Sequence, residues 1–147
     1  MKKPIEKINI EEISSKVNKS PFYKTISMAV LEVNKDGSLL RIKSDIKHHN
    51  FWGIMHGGVI ASLVDSSCGL SIAPYLKEGE KTATISLHVD YIATIIDGDL
   101  FGRGRMIHRS RRLARTEAVI TNENEKLIAK GYASFMITPG RLKKREE

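Results

Sequence analysis

A single carboxylate stands inside an otherwise uncharged stretch. From Asn50 to Leu76 the only formally charged residue is Asp65. Its neighbours are Val, Ile, Leu, Ala and small residues. A carboxylate in such a setting is costly unless it is paired, hydrogen-bonded or near water, and a sequence with no use for it is expected to carry Ala or Leu there. Just upstream lie His56, Gly57 and Gly58. The first N–H groups of a helix have no intrahelical partners and sit at the positive end of its dipole. Two residues without a Cβ at that point let a ligand approach the backbone closely. A donor aimed at a developing oxyanion and a base that activates water are the two needs of acyl-group hydrolysis. The plainer reading of the same residues is a carboxylate paired with a buried Arg, or capping a backbone, and a tight loop into a helix.

Other candidate chemistries are weaker. His48, His49 and His56 lack a nearby Cys or a convincing fourth ligand, so no metal is expected. Ser66, Ser67 and Cys68 sit in no Gly-x-Ser-x-Gly elbow, and Cys68 reads as a small buried apolar residue. Gly102 and Gly104 make no dinucleotide fingerprint, because no helix follows them. Arg103, Arg105, His108, Arg109, Arg111 and Arg112 cluster across one strand pair and its turn. Guanidinium forks suit phosphate oxygens, although a solvated face also produces such a cluster.

The elements that must position these groups follow from the hydrophobic pattern. Ile5, Ile8, Ile10, Ile13 and Val17 predict an amphipathic helix over about Pro4 to Asn18, ended by Ser20-Pro21. Strands are expected at about Thr25 to Asn34 and Ser38 to Lys43, joined by the turn Asn34-Lys35-Asp36-Gly37. A loop from Asp45 to Gly53 precedes an apolar helix, Val59 to Leu76, that must be buried on most sides. Its glycines, Asp65 and Pro74 argue against a membrane span. Ala83, Ile85, Leu87, Val89 and Tyr91 alternate with Thr84, Ser86, His88 and Asp90, which predicts a half-buried strand. After a turn at Asp97-Gly98, strands follow at about Asp99 to His108, Arg112 to Thr121 and Lys126 to Thr138, the last two joined through Asn122 to Glu125. Strands around one apolar helix make an α+β domain.

The run from Asn50 through Gly53, His56, Gly57 and Gly58 to Asp65 resembles the signature of the hot-dog-fold acyl-CoA thioesterase superfamily, and is most similar to the phenylacetate-pathway branch. The likeness covers roughly Thr25 to Thr138. It implies a mostly antiparallel curved sheet wrapped around one long central helix, with the N-terminal helix added. It also implies that Gly57 donates its N–H to the thioester carbonyl, with Gly58 beside it at the substrate. Asp65 is then general base or nucleophile, His56 assists or orients the loop, Asn50 holds acid, water or carbonyl, and Thr84 helps position water. Arg111, Arg112 and Arg109 are the expected contacts to CoA phosphates. Phe51, Trp52 and Met55 lie near the acyl pocket or at a dimer interface.

Gly57 and Asp65 are eight residues apart, or ~12 Å along a helix, while both must reach one carbonyl. Two antiparallel copies solve this, with the glycine from one chain and the acid from the other. A homodimer with shared sites is therefore expected, and the resemblance adds a dimer of dimers. The expected function is hydrolysis of an acyl-CoA to a free acid and CoA, with no cofactor. The alternatives are a non-catalytic acyl-CoA-binding protein on the same fold, or a hydratase, whose His–acid arrangement is not found. The net charge of +7 over 147 residues favours an anionic ligand, and CoA accounts for it without nucleic acid or membrane. Hydrophobic residues at 41% and charged residues at 28% fit one globular domain. The expected division is 1–22 helical segment, 23–140 hot-dog domain and 141–147 basic tail. With one cysteine and no signal-like start, a cytoplasmic location is expected.

Overall fold

The computed structural model describes residues 9–139. Both the start of the expected first helix, before Asn9, and the basic tail fall outside the described residues. Helix α1 runs Ile10–Asn18. The Asn9 side chain accepts the Glu12 N–H at 3.2 Å, and Glu11 and Glu12 in the first turn suit the dipole. Ile13 and Val17 face the core. Pro21, expected only to stop this helix, instead opens a second one, α2, Pro21–Thr25. Proline is pre-organised for a first helical position, where no N–H partner is lost. Ser27 then turns the chain at φ 53°.

Strands β1 (Met28–Asn34) and β2 (Gly37–Ile42) form the first hairpin, and helix α3 spans Gly57–Ile72. Strands β3 (Lys81–Tyr91), β4 (Leu100–Arg109), β5 (Leu113–Asn122) and β6 (Leu127–Thr138) follow. The six strands form one sheet in the order β1-β2-β4-β5-β6-β3, antiparallel at every pairing. The fold is an α+β hot-dog, a sheet around a central helix with an N-terminal helix added. Helix α3 starts earlier than the hydrophobic run, taking Gly57 and Gly58 into its first turn, and gives way to a 3-10 turn at Ala73–Tyr75 where Pro74 stands. By length and composition Gly57–Tyr75 would pass for a membrane span, yet half of that stretch is buried inside the protein.

Leu63, Val64, Cys68 and Ile72 of α3 are fully buried in one cluster with Leu40, Ile42, Leu100 and Ile120. That closeness depends on missing side chains in the sheet. A Cβ on Gly102 or Gly104 would overlap Ser67, and one on Gly131 would overlap Val64. Gly102 and Gly104 therefore serve helix–sheet approach.

Two findings correct the expected β3. A bulge between Thr84 and Ser86 shifts the register against β6. Thr84 and Leu87 therefore lie opposite the buried Phe135 and Ala133, whereas Ala83 and His88 lie opposite the exposed Met136 and Tyr132. Residues opposite each other share a face, so Thr84 joins Leu87, Val89 and Tyr91 on the helix side. Strict alternation would have put it outside. The strand is also not half-buried: Ile85 and Tyr91 are each 54% exposed and Leu87 39%.

The two sheet edges differ. On β1, the Asn18 amide accepts the Val30 N–H at 2.7 Å and donates to the Val30 C=O at 3.3 Å, which satisfies an edge residue as a neighbouring strand would. At the other edge β3 pairs only with β6.

Candidate active site

The loop before α3 is built by its polar side chains. His48 is buried; its Nδ1 accepts the Asp45 N–H at 3.1 Å and its Nε2 donates to the Ile26 C=O at 2.7 Å. His49 Nε2 meets the Ile96 carbonyl at 2.9 Å. The Asn50 side-chain oxygen accepts the Trp52 N–H at 2.9 Å and the Ile54 N–H at 3.4 Å, while Gly53 takes φ 77°, a conformation that suits glycine. These histidines serve the backbone, and His56 continues the pattern. It is the N-cap of α3, with Nδ1 accepting the Gly58 N–H at 2.8 Å.

That cap decides which donor is free. Gly58 was expected beside substrate, but its N–H is taken by His56. The N–H groups of Val59 and Ile60 both point to the His56 carbonyl. Among the described residues the Gly57 N–H alone in this first turn has no partner. Gly57 lines a cavity of about 260 Å³ with Asn50, Ile54, Met55, Ile60, Tyr91 and Ile92 among others. Asn50 can reach substrate there only through its NH₂, since its oxygen shapes the loop. Met55 lines this cavity, whereas Phe51 and Trp52 stand out from it, 87% and 74% exposed.

Asp65 lies elsewhere. Its carboxylate accepts the Thr84 hydroxyl at 2.8 Å, so the structure brings these two expected residues together. It does so because the bulge turns Thr84 inward. They line a second cavity of about 480 Å³ with Tyr23, Gly69, Leu70, Leu76 and Phe135. Gly57 is not in its wall, nor Asp65 in the wall of the first. Within one chain the donor and the acid do not meet. Asp65 is also half-buried rather than enclosed. Ala61, Ser62, Ser66 and Gly69 share that condition and form with it a half-buried stripe along α3.

Cys68 is a poor nucleophile, since burial pushes its thiol up to about 11. The arginines separate into two kinds. Arg109 is fixed: it pairs with Glu80 at 2.9 Å and donates to the Tyr75 carbonyl. Burial works against charge on Glu80, but the Lys77 N–H and the Arg109 guanidinium outweigh it and hold its carboxyl below the usual range. Arg111 and Arg112 are exposed at the β4–β5 turn. They line a cleft of about 530 Å³ with Lys77, Arg109 and Ser110. Arg103 and Arg105 are spent on Thr121 and Glu117. Sequence reasoning missed Tyr91, whose hydroxyl donates to the Gly57 carbonyl at 2.7 Å. A tyrosine on an apolar strand face was the available signal, because its hydroxyl seeks a partner.

Known proteins resemble this chain in sequence and in fold. The sequence profile of the thioesterase superfamily matches residues 53–129. The solved structure of a thioesterase superfamily protein is 33% identical with TM-score 0.79, covering 88% of this chain and 98% of that one. The 1,4-dihydroxy-2-naphthoyl-CoA hydrolase of Listeria monocytogenes is 24% identical over 71% of this chain and 85% of its own length. The E. coli PaaI protein from the phenylacetic acid degradation operon shares the fold at TM-score 0.79 and 14% identity, covering 88% of this chain and 93% of that one.

Proposed function

We infer that this chain, which belongs to the thioesterase superfamily, hydrolyses acyl-CoA thioesters to free acid and CoA at sites shared between two copies. The observation that carries the reading is the division of labour along α3: a free Gly57 N–H in one cavity, and Asp65 held by Thr84 in another. A two-fold pairing brings one chain's Gly57 to the partner's Asp65. The Gly57 N–H then receives the developing oxyanion, with the dipole of α3 behind it. Asp65 either takes the proton from an attacking water or attacks the carbonyl to form an anhydride that water then opens. In both routes CoA leaves as thiolate and is protonated. The naphthoyl-CoA hydrolase among the relatives supports a CoA thioester as substrate, and the likeness to PaaI fits the phenylacetate-type branch.

The pairing is supported by the sheet edges. β1 is capped by Asn18, while β3 offers Ile85, Leu87 and Tyr91 beside the half-buried stripe of α3 that carries Asp65. An open apolar edge strand is a site for strand addition, and a two-fold axis through it places two copies of α3 side by side. The proposed unit is this homodimer, with a dimer of dimers as the larger assembly.

The test of activity is release of free thiol from a panel of aromatic, short-chain and long-chain acyl-CoAs. Turnover of at least one is expected. Tight binding of all with release from none would leave an acyl-CoA-binding protein instead.

The cleft at Arg111 and Arg112 supplies exposed forks for CoA phosphates, on a frame fixed by the Arg109–Glu80 pair. Replacing both with Ala is expected to raise KM for an acyl-CoA by about tenfold with kcat little changed. KM for the matching N-acetylcysteamine thioester, which lacks the nucleotide, should not move. An equal change for both substrates would remove the cleft from CoA binding.

A further inference from the structure

The peptide unit between Gly57 and Gly58 is held at both ends. Its carbonyl accepts the Tyr91 hydroxyl at 2.7 Å and its N–H is accepted by His56 Nδ1 at 2.8 Å. Neither flanking residue has a side chain to restrict rotation, and glycine is the residue most free to turn about its backbone bonds. The unpartnered Gly57 N–H belongs to the preceding peptide, and its direction follows from the torsions of Gly57. Fixing the next peptide removes one of the two rotations through which it would wander. His56 does this from the loop side, as an N-cap does. Tyr91 does it from another element, the end of β3, across 34 positions of chain. Its ring also lies against Gly57, where a Cβ would be 3.4 Å from the ring and the hydroxyl.

We propose that Tyr91 is a positioning residue for the oxyanion donor: its hydroxyl clamps the Gly57 carbonyl so that the Gly57 N–H stays aimed at the thioester oxygen. The proposal rests on the reading of Gly57 as that donor. It assigns Tyr91 no contact with a reacting atom. A preorganised donor costs no reorientation when charge develops, so the clamp acts on the chemical step. Tyr91 also lines the cavity beside Gly57, but through a ring that loss of the hydroxyl leaves in place, so ground-state binding is left largely alone.

Tyr91→Phe keeps the ring and removes the hydroxyl. Because the ring stays, the fold and the proposed pairing along β3 tolerate the change, which a melting curve and the size of the protein in solution verify. The expected result is a fall in kcat of about tenfold with KM within about twofold of wild type, the pattern of an interaction realised in the transition state. A second readout is spectroscopic. In the Asp65→Ala background, bound hexanoyl-CoA or phenylacetyl-CoA labelled with ¹³C at the thioester carbonyl should show a lowered carbonyl stretch in difference infrared spectra. Adding Tyr91→Phe should broaden that band and move it back toward its solution position. A role in packing alone would leave the band in place. An unchanged kcat, or a raised KM at constant kcat with an unmoved band, would overturn the clamp. If the Asp65→Ala protein instead turns over at the wild-type rate, the catalytic reading itself fails, independently of Tyr91.

Discussion

Asp65→Asn is expected to lower kcat by roughly 10²- to 10⁴-fold, the usual range for loss of a positioned acid–base group, with KM and the melting temperature little changed. The small structural cost follows from the environment. Asp65 is half-buried, its only hydrogen bond among the described residues comes from the Thr84 hydroxyl, and an asparagine oxygen can accept the same bond. The large catalytic cost follows from chemistry. The amide can neither take a proton from water nor open a thioester, so both routes lose the same atom. Single-turnover hydrolysis in ¹⁸O-water separates the routes, because only an anhydride intermediate can carry the label into the Asp65 carboxylate itself. A folded Asp65→Asn protein with wild-type kcat would remove Asp65 from the mechanism.

Gly57→Pro should lose roughly 10²- to 10³-fold in kcat, the typical consequence of deleting one oxyanion donor. The substitution is unusually clean at this site. Gly57 is the first residue of α3, where proline is favoured and no intrahelical bond depends on the N–H. His56 before it is extended, with φ −63° and ψ 133°, as a residue preceding proline must be. A new Cβ would meet the Tyr91 ring at 3.4 Å, an ordinary contact. Proline thus keeps the helix start while putting its ring Cδ where the donor hydrogen stood. Gly57→Ala adds the same Cβ while keeping the N–H, so its loss should be much smaller. Equal losses in the two variants would mean that crowding, not the donor, governs this position.

Much of this site is legible in the residues. A lone acid in an uncharged run, and glycines at the start of a helix, point to Asp65 and Gly57 because each would be costly or purposeless otherwise. The succession of elements along the chain and the central helix follow from periodicity over long segments. The parts that stay hidden depend on contacts between distant residues. The face of Thr84 is misread because a bulge adds one residue to β3, and nothing in a period-two pattern marks where that happens. The exposure of Ile85 and Leu87 is invisible for a related reason: apolar alternation marks two faces of a strand, not how much of the rest of the chain packs on either. Asp65 looks enclosed on composition, yet it is only half-buried and opens on a cavity. The competition between Gly57 and Gly58 turns on a single hydrogen bond, donated by the Gly58 N–H to His56 Nδ1, which the motif alone does not resolve. Pro21 shows the converse, a residue read as a stop that also serves as a start.

The central claim is that each site takes its donor from one chain and its acid from the other, and mixed dimers test it most directly. Co-expressing Asp65→Asn and Gly57→Pro chains with different tags yields heterodimers whose two defects fall together in one site, leaving the second intact. Each parent should be nearly inactive, and random equal mixing should restore about a quarter of wild-type activity, since half the dimers are mixed and each holds one good site of two. Purified heterodimer should reach about half of wild type by the same count. Activity no higher than that of the parents, in heterodimers shown to be folded and paired, would contradict the shared site.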